Sequence, residues 1–132
     1  MINATLFLRR VLQLDAVASG AMGALLALAP GWTGALLNLP EQLLLPVGVF
    51  LIGYAAFVGW LGSHTAMPRA LLLVVIIGNF GWTVASFILL FSGAVSPNLL
   101  GQIFIAAQAV AVGVFAELQF VGLRKSGAAQ PA

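Results

Sequence analysis

The sequence has no cysteine, a single histidine, a single tyrosine and only eight charged side chains, five basic and three acidic. Without cysteine there are no disulfides, thiolate metal sites, iron–sulfur clusters or thiol nucleophiles. One histidine, His64, cannot supply a matched pair of haem or metal ligands, and of the three methionines only Met22 falls inside an apolar run. No glycine-rich loop follows a strand pattern, and no serine or lysine stands beside a base in a recognisable arrangement, so neither an enzyme nor a cofactor is expected. A pI near 10 rests on five basic residues that form no patch with interleaved aromatics, which sets nucleic acid aside.

What the sequence has is apolar surface. It is 62% hydrophobic and 6% charged, with a mean hydropathy of +1.14, where an ordinary soluble domain is about half apolar and a quarter charged. So few charges cannot cover a water-soluble fold, which makes the lipid bilayer the first partner. Crossing a hydrocarbon core of ~30 Å takes ~20 apolar residues in a helix. Four segments qualify, at residues 11–29, 43–61, 70–91 and 99–123. Pro30-Gly31 stops the first, Pro46 is placed in the first turn of the second, Met67-Pro68 leads into the third, and Ser96-Pro97-Asn98 precedes the fourth. The expected fold is an all-α integral membrane protein, a four-helix transmembrane bundle over residues 1–125 with a short disordered tail at 126–132. Ala27-Leu28-Ala29 has the form of a signal-peptide cleavage site, but the apolar run is longer than a usual h-region, carries Asp15 and is followed by Pro30, so a retained helix is expected.

Short loops rich in Lys and Arg stay cytoplasmic. Arg9, Arg10, Arg69, Arg124 and Lys125 all fall on one side of the four spans, while residues 31–42 and 92–98 hold no basic residue. Both termini are therefore expected in the cytoplasm, in a plasma or bacterial inner membrane. Val17-Ala18-Ser19 before Pro30 and Val84-Ala85-Ser86 before Pro97 share one spacing, the mark of a two-plus-two duplication or of coincidence in low-complexity sequence.

Helices in lipid associate through close backbone approach and polar contacts. At 100° per residue, Ala16, Gly20, Gly23 and Ala27 share one face of the first helix, and Gly48, Ala55, Gly59 and Gly62 one face of the second. Asn79, Thr83 and Ser86 form a stripe on the third that should face another helix. The fourth carries Gln108 and Gln119 on one side and Gln102 and Glu117 roughly opposite, so it either sits between neighbours or meets a second copy, and a homodimer is favoured over a monomer.

Ionisable residues inside a membrane are expensive and often functional, which singles out Asp15 and Glu117. Counted from Arg10 and Arg124 they lie ~8 and ~10 Å inside the cytoplasmic boundary, at about one depth. Gln13, Gln119 and Tyr54 fall in the same layer, and two acids meeting there would suit a proton-coupled site. The plainer alternative has the acids paired with Arg9, Arg10 or Arg124 and fixing the helices in depth. Asn79 and Gln108, near mid-membrane, could bind a solute or bond across a helix interface. Two functions from different classes follow: a non-catalytic accessory or assembly protein acting through helix–helix contacts with a membrane-protein partner, or a small oligomeric transporter or channel with its polar site at Asp15 and Glu117.

Overall fold

The computed structural model describes residues 1–128. Thr5 opens the first helix: its hydroxyl accepts the Leu8 N–H at 3.1 Å, which satisfies one of the donors that a helix start leaves unpaired. From there α1 runs over Leu6–Leu28, five residues earlier than the apolar window suggests, because arginine is a good helix former that hydropathy excludes. Pro30 ends α1 but also starts a helix. At the first helical position its missing N–H costs nothing, and α2 (Pro30–Leu37) fills most of the segment read as a loop. Asn38 closes it with φ 57°, a left-handed conformation that asparagine enters more readily than most residues.

Helix α3 spans Glu41–Gly62. Its carboxylate at the first position suits the positive end of the helix dipole, and this earlier start places Pro46 in the second turn, not the first. Helix α4 covers Arg69–Ser92 and stops at Gly93, φ 79°. Helix α5 covers Leu99–Lys125, capped by Asn98, whose Oδ1 accepts the Gly101 N–H at 2.8 Å. Its two extra residues, Arg124 and Lys125, lie where cations complement the dipole. Helices α1, α3, α4 and α5 are long and apolar enough to cross a membrane, and only 17–28% of their most apolar stretches is buried. Val17, Ile88 and Phe91 are among the many large apolar side chains left exposed, so lipid is the solvent for most of this surface. The chain is a helical, multi-pass membrane protein.

The bundle is two helix pairs. In the first, α1 lies antiparallel on α3 through the small-residue faces that the sequence displays. A Cβ added to Gly23 would come within 2.8 Å of the Gly48 carbonyl oxygen and 2.9 Å of the Ile52 nitrogen, and one at Gly59 would touch Ala16 at 3.4 Å. The second pair, α4 and α5, uses polar links: Thr83 Oγ1 donates to the Ala109 carbonyl at 2.8 Å and Trp82 Nε1 to Gln108 Oε1 at 2.9 Å. The pairs join where α1 meets α5, with Gly122 beneath Leu8, while the backbones of α3 and α4 stay farther apart and meet through side chains, with Val58 and Leu61 in one buried cluster with Leu72 and Val75.

Three two-residue strands tie one end together. β1 (Ile2–Asn3) is central, flanked by β2 (Ala66–Met67) and β3 (Gly127–Ala128), both antiparallel to it. Ile2 and Met67 are buried beneath this small sheet. Of the segment 126–132, Gly127 and Ala128 form β3, and Ser126 before them caps α5, its Oγ donating to the Gly122 carbonyl and accepting the Thr5 N–H. The rest of that expected tail, residues 129–132, lies outside the described residues. All five basic residues sit at this end, at the starts of α1 and α4 and the finish of α5.

Candidate functional site

The sole aspartate of the chain, Asp15, lies on the side of α1 that turns toward the α4–α5 pair and is 2% exposed. Its Oδ1 accepts from Ser19 Oγ at 3.0 Å, one turn along the same helix. Its Oδ2 accepts from Gln119 Nε2 at 2.7 Å and Asn79 Nδ2 at 3.1 Å, and stands 2.8 Å from Tyr54 Oη. Asn79 Nδ2 also donates to Gln119 Oε1 at 2.9 Å, and Tyr54 Oη lies 2.8 Å from Asn79 Oδ1. Every spanning helix contributes a member, and all four partners of the acid are neutral. Interhelical hydrogen bonds in membranes average ~0.6 kcal/mol. A polar group left unpaired in hydrocarbon costs several times that, so the cluster fixes how the four helices are rotated against one another. Among the described residues no buried side-chain nitrogen or oxygen lacks a hydrogen-bond partner.

Of the six residues that the sequence singles out, Asp15, Tyr54, Asn79 and Gln119 come together. Glu117 does not: it is exposed on α5 while Gln119, 200° round the helix, points inward. The expected meeting of two acids is therefore replaced by one acid and a glutamine. Gln108 belongs to the separate contact with Trp82. The expected pairing of Asp15 with arginine is also absent, because Arg9 donates instead to the Gly62 and Ser63 carbonyls at the C-terminus of α3, and Arg10 to Gln13. Gln13 in turn caps Gly62 and takes no part in the cluster. His64 stays in its loop, Nδ1 within 2.8 Å of the Trp60 carbonyl. Ser19 is the member that sequence reasoning passes over. Its signal is the i,i+4 spacing from Asp15.

Two cavities flank the cluster. The separation between the α3 and α4 backbones leaves a cleft of about 320 Å³ walled by Phe50, Phe57, Val74 and Trp82, with Tyr54 and Asn79 at its base. Phe50 stacks on Trp82, ring centroids 5.9 Å apart, across one end of it. A second cavity of about 570 Å³ lies between α1, α2 and α5 and reaches Asp15 itself. Both fall within the ~300–1,000 Å³ of small-molecule pockets. Ser19, Leu51, Trp82 and Val112 line both, so the polar cluster stands at the partition between them. In comparisons with known proteins, no family model, curated protein or solved structure matches this chain.

Proposed function

We propose that the chain is a small non-catalytic protein of the plasma or bacterial inner membrane, with both termini cytoplasmic, that binds a lipid-like amphiphile entering sideways from the bilayer. The observation that carries this reading is the α3–α4 cleft, a largely apolar space walled by aromatic rings and reached by the polar side chains of Tyr54, Asn79 and Ser19. Such a site suits one apolar chain ending in a single neutral polar group, the chain against Phe50 and Phe57 and the polar end toward Tyr54 and Asn79. The Asp15 cluster thereby becomes the anchor of a binding or carrier site. A role played through glycine-lined helix faces has less support, since those faces are occupied in the α1–α3 seam. Glu117, exposed on α5 inside an apolar stretch, favours a homodimer with α5 at its seam, because a carboxylate facing lipid is costly.

The test uses a diazirine-bearing long-chain alcohol and the protein in liposomes. Labelling should saturate, map to the α3 and α4 segments around Phe57 and Val74, and compete with a plain long-chain alcohol far better than with the alkane of equal length. Gly78→Leu, which fills the cleft from a position where an added Cβ meets nothing within 4 Å, should abolish it. Unsaturable labelling spread over lipid-facing residues such as Val17, Ile88 and Phe91 would end the reading.

A further inference from the structure

Six polar contacts hold the cluster together, and filling all of them takes one more hydrogen than the neutral side chains carry. Three are amide contacts, from Asn79 to Asp15, from Asn79 to Gln119 and from Gln119 to Asp15, and amide hydrogens fill all three. The other three join oxygen to oxygen: Ser19 to Asp15 at 3.0 Å, Tyr54 to Asp15 at 2.8 Å, and Tyr54 to Asn79 at 2.8 Å. An oxygen pair at such a distance is a full hydrogen bond only when a hydrogen is directed along it. Ser19 and Tyr54 supply one each, and a carboxylate supplies none. With Asp15 ionised, the one tyrosine hydrogen has to serve two oxygens, each 2.8 Å away, and sharing it leaves both contacts underfilled.

Reassigning the amides does not remove the shortfall. Turning Asn79 over sets its oxygen against both Asp15 Oδ2 and Gln119 Oε1. Turning Asn79 and Gln119 together sets two amide oxygens against Asp15 Oδ2. Turning Gln119 alone opposes its Nε2 to Asn79 Nδ2. The arrangement as it stands is the best of the four, and it is short by one.

We infer that Asp15 carries the missing hydrogen on Oδ2 and donates it to Tyr54 Oη, which frees the tyrosine hydrogen for Asn79 Oδ1. The cluster is then a proton-binding site: a carboxylate and a proton from solvent become a neutral acid, and all six contacts are filled. Asn79 and Gln119 face Asp15 from α4 and α5 and Tyr54 from α3, so its hydrogen-bond partners present no charge to compete for the proton. The about 570 Å³ cavity that Asp15 lines gives the acid a face from which the proton can exchange. This inference rests on the hydrogen-bond geometry and is independent of whether an amphiphile occupies the cleft.

Because Asp15 is the only aspartate, cell-free synthesis with aspartate carrying carbon-13 in its side-chain carboxyl, unlabelled asparagine and blocked aspartate metabolism labels one site in the whole chain. Infrared spectra of the full chain in liposomes near neutral pH should show an isotope-sensitive C=O stretch of a protonated carboxyl. In Tyr54→Phe that band should move to higher frequency, because the acid has lost the oxygen to which it donates. A wild type whose only isotope-sensitive band is that of a carboxylate overturns the proposal, whatever the variant does. A protonated band that Tyr54→Phe leaves unmoved overturns the placement of the proton between Asp15 and Tyr54.

Discussion

Glu117 and Gln119 sit two residues apart on α5, and the 200° between them decides which enters the bundle. Gln119 is fully buried and bonded to Asp15 and Asn79, whereas Glu117 is exposed. Gln119→Leu keeps the volume but removes a donor from Asp15 and an acceptor from Asn79, and leaving buried partners unmet costs about 1–3 kcal/mol. Glu117→Gln breaks no hydrogen bond of the cluster and removes a charge from an apolar stretch, so it should not destabilise the monomer. Reversible unfolding in mixed micelles measures both, and equal effects would mean that the cluster does not hold the helices. Counting residues at 1.5 Å each puts Asp15, Tyr54 and Gln119 at one depth, but it also puts Gln13 and Glu117 there and Asn79 nearer mid-membrane, whereas Asn79 joins the cluster and the other two do not. The rotation of α5 was not legible in the sequence. A helix that is apolar nearly all round gives no stripe from which to tell the buried side from the lipid side, so the choice between Glu117 and Gln119 came from the packing of α1 against α5.

Spacing alone disclosed the α1–α3 seam, because a run of small residues every three or four positions has one use in lipid, which is to let backbones approach. What spacing could not do was rank the glycines. A side chain at Gly48 would meet main-chain atoms of α1, the Gly23 carbonyl oxygen at 2.8 Å and the Leu26 carbonyl carbon at 2.9 Å, whereas one at Gly20 would meet only the Ala55 Cβ at 3.4 Å. Backbone cannot swing aside as a flexible side chain can. Gly23→Ala and Gly48→Ala should therefore separate the helices and cost roughly 1–3 kcal/mol, the range of overpacked cores. Gly20→Ala should cost little, and Gly53→Ala, where an added Cβ meets nothing within 4 Å, should gain up to about 1 kcal/mol from helix propensity. Thermal unfolding of the four variants gives the ranking, and a Gly23→Ala no worse than Gly53→Ala would contradict the close contact. Helix α2 escaped the sequence because eight residues with two glycines read as loop, and Pro30, which stops one helix, serves equally as the first residue of the next.

At the scale of the molecule, the bundle has two unlike ends. One gathers all five basic residues, the three-stranded sheet and both described termini of the chain; the other has α2, the α4–α5 turn and Glu41. The positive-inside rule predicts that the basic end faces the cytoplasm, and the sheet makes that end one unit: β1 pairs with strands from the α3–α4 loop and from the tail, so N-terminus, loop and tail share one side. A single measurement at any of the three then fixes the others. The absence of cysteine makes single-cysteine variants clean reporters. Gln42→Cys and Ala94→Cys, both exposed at the far end, should react in intact cells with a membrane-impermeant thiol reagent, and Ser63→Cys and Thr65→Cys, exposed beside the sheet, only after permeabilisation. Thr33 is unsuitable as a reporter despite lying in the same far-end region, because it is 2% exposed and its hydroxyl donates to the Ala29 carbonyl. Reaction of Thr65→Cys in intact cells would invert the orientation, and reaction at both ends would mean that the chain inserts in two directions, an outcome that five cations on one side and none on the other are well placed to prevent.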